Sequence, residues 1–160
     1  MTDSPADDIA YMMLALDEAR SAGDSGEVPI GAVVVVEGTI LSSGRNERES
    51  RQDPTAHAEM VALRAAAAEL QSWRLLQATL YVTMEPCAMC IGAIILARVK
   101  RVVFGVYDPK GGACGSIFNI PLDDRLNHHV EILGGILQEE SRQLLQDFFR
   151  SLRKNPVHTG

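Results

Sequence analysis

The sequence predicts an α/β fold, a five-stranded mixed sheet with helices on both faces. Three observations predict it. A β-branched apolar run over 30–36 is followed by the turn Glu37-Gly38 and a second strand over 39–43, which makes an antiparallel hairpin. Strand-like runs over 79–84 and 101–106 are joined through a helical stretch, so they pair in parallel. After the hairpin, strand-like and helix-like segments alternate.

Each element has its own signal. Ser4-Pro5 starts a helix, with Ser as cap and Pro at the first helical position. Ile9, Met12, Met13, Leu16 and Ala19 then recur at helical spacing until Gly23. The stretch 44–52 is polar and reads as a loop. Asp53-Pro54 opens the next helix, whose buried stripe is Met60, Leu63, Ala67 and Leu70. Pro86 starts a short helix that runs to about Ala97. The glycine-rich stretch 108–116 is a loop, and 129–133 supplies the fifth strand. An amphipathic helix over 138–153 places Leu144, Leu145, Phe148, Phe149 and Leu152 on its inner side.

Composition narrows the classes. With 160 residues and 46% hydrophobic content, one domain with a sizeable core is expected, spanning about 6–154 between flexible ends. No apolar run reaches about 18 residues, so no membrane span is expected. Residues 1–8 are acidic and lack the pattern of a secretory signal, which makes the cytoplasm the default location. Three cysteines, two of them in one C-x-x-C, point to metal or redox chemistry and not to a disulfide framework. A net charge of −6 argues against coating nucleic acid by bulk attraction. A local basic surface remains open, from Arg98, Lys100, Arg101, Lys110, Arg150, Arg153 and Lys154, and ordinary solvated charges are the plain alternative for each.

Two short segments carry the chemistry: Thr55-Ala56-His57-Ala58-Glu59 and Glu85-Pro86-Cys87-Ala88-Met89-Cys90. Cys87 and Cys90, three apart at a helix start, lie on one face, where the helix dipole favours thiolate. His57 also falls near a helix start. The three side chains predict a Zn²⁺ site with its fourth position left to a catalytic water, because catalytic zinc keeps a position open. Glu59 is not needed as a ligand and is the candidate proton carrier. A redox pair at Cys87 and Cys90 is one alternative. A closed structural zinc with Cys114 as fourth ligand is another.

At these residues the chain resembles the cytidine deaminase superfamily of zinc hydrolases, whose signature is this H-x-E followed by P-C-x-x-C. Within it, the text resembles the bacterial tRNA-specific adenosine deaminases over 10–153. The matching stretches include Glu27-Val28-Pro29-Ile30-Gly31, Asp53-Pro54-Thr55, Ala78-Thr79-Leu80-Tyr81, Asn127-His128 and Asp147-Phe148-Phe149-Arg150. The resemblance implies a three-layer α/β/α cytidine-deaminase-like fold, one Zn²⁺ per subunit, and hydrolysis of adenosine to inosine at the wobble position of a tRNA anticodon. It also implies a homodimer that cradles the anticodon stem-loop. It assigns His57, Cys87 and Cys90 to the metal and Glu59 to proton transfer. Asn46, Ile30, Ala58, Asp108, Phe149 and Arg150 are its candidate substrate contacts. A free purine or nucleoside deaminase, such as a guanine deaminase, shares the zinc chemistry and is the nearest rival. A non-catalytic zinc module that binds RNA is a further one.

Overall fold

The structure is a computed structural model that describes residues 4–154; of the expected flexible ends, 1–3 and 155–160, His158 among them, lie outside the described residues, while Ser4 and Pro5 open the first helix. Helix α1 (Pro5–Asp24) begins at a Ser4 cap whose hydroxyl accepts from the Asp7 N–H, while the Asp7 carboxylate reaches back to Ser4. Strands β1 (Gly31–Val36) and β2 (Thr39–Arg45) form the expected antiparallel hairpin. A short helix α2 (Arg48–Arg51) follows, then α3 (Ala58–Leu70), β3 (Ala78–Met84), α4 (Ala88–Leu96) and β4 (Arg101–Val106). A 3₁₀ turn at Ile120–Leu122 leads to β5 (Glu131–Leu133) and α5 (Gln138–Lys154).

The sheet order is β2-β1-β3-β4-β5. Strand β1 is antiparallel to β2 and β3, whereas β3, β4 and β5 are parallel. Alternation along the strands splits the core in two. Ala32, Val34, Leu80, Val82, Val102 and Phe104 pack under α3 and α4. Val33, Val35, Tyr81 and Val103 pack with Met12 and Ala15 of α1 on the other face. The expected three layers are therefore present, and the five-stranded mixed sheet with helices on both faces is borne out.

A buried ion pair fastens α1 to this frame. The Asp8 carboxylate accepts from both terminal nitrogens of Arg101 at 2.7 Å and from the Tyr81 hydroxyl at 2.8 Å. Arg101 is thus engaged in the interior and is not part of a basic surface.

The topology also fixes where a site can form. Because β1 is antiparallel to its neighbours, β2, β3 and β4 all end at the edge where β1 begins. The loops after β2 and β4 stand three strand spacings apart, about 14 Å, with the starts of α3 and α4 between them. Crevices beyond the carboxyl ends of strands are where open α/β sheets bind ligands.

Several expectations shift. Helix α3 does not start at Asp53-Pro54. The Asp53 carboxylate instead accepts from the Thr55 N–H and hydroxyl at 2.8 and 2.7 Å, closing a turn, and the helix begins at Ala58 with His57 as its N-cap. Its buried stripe is Ala58, Glu59, Ala62, Leu63 and Ala66, while Leu70 is exposed. Small residues win there because α3 lies tight on β2. A β-carbon on Gly44 would sit 2.5 Å from the Ala58 carbonyl oxygen. The stretch 44–52 is only partly loop, since it holds the end of β2 and all of α2. In α1, Ile9 and Met13 face outward. In α5, Ser141 is the buried residue and Phe149 and Leu152 are exposed, because that helix meets the sheet only near its start.

Candidate active site

Two helix N-termini meet at the sheet edge. His57 is the N-cap of α3 and Cys87 the N-cap of α4, and neither cap residue spends its side chain on the helix. Those side chains are free to converge on something beyond the helix ends. The His57 Nδ1 atom lies 3.6 Å from Cys87 Sγ and 3.5 Å from Cys90 Sγ. The three donor atoms all fall within 4.8 Å of one another, a group able to hold a metal ion. Among the described residues this is the cluster of that kind, and neither Glu59 nor Cys114 belongs to it.

Glu59 sits in the first turn of α3 and is 4% exposed. Burial pushes its carboxyl above the ordinary carboxylate range, while the backbone at its helix start and His57 oppose the rise. Hydrogen bonding from Cys90 holds the Cys87 thiol down at about 4, and the same bond, with burial, pushes Cys90 up. A hydrogen bond with Cys87 raises His57 against the effect of its burial. The two sulfurs thus share a proton that a bound cation would displace. Cys114 stands apart. Burial, then the nearby Glu85 charge, pushes its thiol up to about 12, and its backbone N–H donates to Glu85. The closed four-ligand metal site is therefore not formed, and a packing role fits Cys114.

A cavity of about 220 Å³ opens on the cluster. Its wall includes Ile30, Asn46, His57, Ala58, Glu59, Cys87, Asp108 and Phe149, so most of the expected contacts are brought together. Ile30 precedes β1, Asn46 follows β2 and Asp108 follows β4, each placed by the common strand edge. The Asn46 side chain also builds its turn, donating to the Val28 carbonyl and accepting from the Arg48 N–H, both at 3.3 Å. Asp108 likewise accepts from the Lys110 N–H at 3.0 Å. Arg150 does not reach this cavity. It lies beside Asp147 at 3.4 Å and lines a neighbouring groove with Lys110, Arg142, Arg153 and Tyr107. His128 is structural, with Nε2 2.7 Å from the Val99 carbonyl oxygen.

Sequence reasoning missed Val28, Arg48, Met84 and Glu85 as lining residues. Glu85 was adjacent to the metal motif, and its position before Pro86 was the available signal. Arg48 carried none, since an exposed Arg in a polar stretch looks like any solvated charge.

An α/β sheet with a His-Cys-Cys cluster and a buried carboxylate beside it defines a deaminase, and this chain belongs to the MafB19-like deaminase family, which matches residues 6–153. More narrowly, it belongs with the tRNA-specific adenosine deaminases. It is 50% identical to the tRNA-specific adenosine deaminase of Bacillus subtilis (strain 168) over 92% of this chain and 91% of that one. It is 47% identical to that of Haemophilus influenzae, over 92% and 86%. A solved structure from a study of A-to-I editing by tRNA:A34 deaminases superposes with a TM-score of 0.82 at 43% identity, covering 85% of this chain and 99% of that chain.

Proposed function

We propose that this chain is a zinc hydrolase that converts adenosine to inosine at position 34, the wobble position, of tRNA anticodons. The observation that carries the chemistry is the three-donor cluster with Glu59 lining the same cavity. The cluster fits zinc in donor type and in spacing. Tetrahedral zinc with ordinary Zn–N and Zn–S distances sets nitrogen and sulfur about 3.6 Å apart. The separations here are 3.6 and 3.5 Å.

His57, Cys87 and Cys90 would hold the ion. When bound, the ion supplies Lewis acidity that lowers the pKa of a water toward neutrality. Glu59 takes the proton from the water that attacks C6 of the adenine and delivers it to ring N1. It then takes the second proton, from the hydroxyl now bonded to C6, and delivers it to the amino nitrogen as the C6–N bond breaks, so that adenosine and water give inosine and ammonia. Burial suits Glu59 to this task, because it raises the carboxyl toward the pH at which it both accepts and donates. Ile30 and Phe149 offer apolar walls, and Ala58 offers backbone at the start of α3. Asn46 has amide capacity left for the purine edge, and Asp108 borders the path of the flanking strand. The target nucleotide must leave its stack to enter, which costs least for an unpaired loop base.

The groove carrying Arg150, Lys110, Arg142 and Arg153 gives an acidic chain a local cationic surface for RNA. The homodimer and the cytoplasmic location belong to the same reading. Exposed Leu96, Phe118 and Leu122 offer apolar area for a second copy to cover. Among the described residues no helix is long and apolar enough to cross a membrane. We place the activity in one deaminase domain running the length of the fold.

The test is incubation with an anticodon stem-loop, adenosine, cytidine and guanine. Inosine in the stem-loop is expected. Ammonia from guanine with an unchanged stem-loop replaces this reading with a free-base deaminase. Binding of RNA without turnover by metal-loaded protein replaces it with a non-catalytic module.

A further inference from the structure

Two buried glutamates lie outside the metal cluster and take no part in the steps above. Glu27 and Glu85 are each 3% exposed. The Glu27 carboxylate accepts from the backbone N–H groups of Glu49 at 3.2 Å and Ser50 at 2.7 Å. The Glu85 carboxylate accepts from the N–H groups of Asp108 at 2.9 Å, Cys114 at 3.0 Å and Ser116 at 3.1 Å, and from the Ser116 hydroxyl. Each of these partners is a donor, so both carboxylates act as acceptors only.

The two groups do the same thing on opposite sides of the cavity. Glu27 holds the segment after β2, which carries Asn46 and Arg48. Glu85 holds the loop after β4, which carries Asp108, and lays it along the start of the metal-binding helix. The Ala113 N–H donates to the Pro86 carbonyl at 2.9 Å, and Gly112 bridges Cys87. Of the donors, the Cys114 N–H is buried and needs a protein partner, but Glu49, Ser50 and Ser116 lie at the surface, where water would serve their N–H groups. Burying a carboxylate to hold them therefore gains placement of the loops and not mere satisfaction of donors.

We propose that Glu27 and Glu85 are positioning residues that fix the two rims of the cavity and so set how tightly the target nucleotide is held. The inference rests on the deaminase reading of the cavity. It separates binding from chemistry, because neither carboxylate carries the metal or the proton.

The experiment compares Glu27→Gln and Glu85→Gln with the wild-type protein. Glutamine keeps the shape but turns an NH₂ donor toward backbone donors. Metal content, amide hydrogen exchange, and kcat and KM on an anticodon stem-loop are measured. Exchange is expected to quicken in 46–52 for the first variant and in 108–116 for the second. KM is expected to rise about tenfold in each, with kcat within about threefold and metal content unchanged. Should Glu85→Gln not fold, Ser116→Ala removes one of the donors and is expected to raise KM about threefold. Quickened exchange with an unchanged KM overturns the proposal, as does a fall in kcat that tracks metal loss. Unchanged exchange in both loops overturns it without reference to turnover. A wild-type protein inert toward the stem-loop instead refutes the functional reading.

Discussion

Glu85 presses its carboxylate against the α-carbon of Gly112, so closely that a β-carbon there would lie 2.3 Å from Cδ and 2.4 Å from each oxygen. The carboxylate cannot retreat without abandoning the donors of the loop that Gly112 belongs to. Gly112→Ala is therefore expected to cost about 1–3 kcal/mol of stability by overpacking. Urea unfolding measures it, and a change under about 0.5 kcal/mol contradicts the packing described.

Removal of Glu59 separates the metal from the proton. Glu59→Ala is expected to keep its full metal content while losing about 10²–10⁴-fold in kcat. Cys87→Ala is expected to lose metal and activity together. Elemental analysis beside an inosine assay checks both, and metal loss in Glu59→Ala reassigns that residue as a ligand.

Stripping the metal with a chelator exposes a difference among the thiols. Cys87 is held down at about 4 by its hydrogen bond from Cys90, so near pH 6 it is thiolate; Cys114, pushed up to about 12 by burial, is neutral throughout. Since the thiolate is the nucleophile, iodoacetamide is expected to label Cys87 from about pH 5 upward and to spare Cys114 up to about pH 9. Restoring the metal is expected to protect Cys87. Peptide mass spectrometry reads the sites, and earlier labelling of Cys114 contradicts the assignment.

The latch at Asp8 is a stability element remote from the chemistry. Its side chain is 4% exposed and that of Arg101 is 18% exposed. Truncating one partner of such a pair leaves poorly compensated charge, so Asp8→Ala is expected to cost about 3 kcal/mol. Tyr81→Phe is expected to cost about 1 kcal/mol through the lost hydroxyl bond. Thermal unfolding tests both, and full metal occupancy is expected in each folded variant.

Phe149 and Arg150, neighbours in sequence, both line the basic groove, and of the two Phe149 alone also reaches the cavity beside His57. Phe149 lines the cavity although it is 44% exposed, so Phe149→Ala is expected to raise KM several-fold with little loss of stability. Arg150 lies on the basic groove, so Arg150→Ala is expected to weaken RNA binding and to reduce the slope of log K against log salt by about one. Binding titrations across a salt series decide between them.

Much of this was legible in the chain. The valine run, the Glu37-Gly38 turn and the C-x-x-C opening a helix are local signals, and each landed within a residue or two of the structure. The cluster was legible because its members are set by short spacings and share a strand edge. One local signal was ambiguous: Asp53 reads equally as a helix cap or as the start of a turn, and the fold shows its carboxylate taken by Thr55 two residues on. The rest of what escaped was long-range. Leu70 and Phe149 belong to apolar stripes, yet a stripe names a face and not the surface that covers it. The work of Glu27 and Glu85 was hidden because their partners lie 22 to 31 residues away and, the Ser116 hydroxyl apart, are backbone groups without side-chain identity.

The division of labour at the sheet edge bears on how such an enzyme diversifies. The residues that would hold the ion stand at helix starts rooted in the core, while Asn46, Arg48 and Asp108 of the pocket wall stand on turns beyond the strand ends. A lineage can therefore exchange those turns, and with them the preferred nucleobase, without rebuilding the reaction centre. Libraries that vary 47–52 and 108–111 on this scaffold, and leave Gly112, Ala113 and Cys114 in their packed places, should stay folded and metallated while their selectivity wanders.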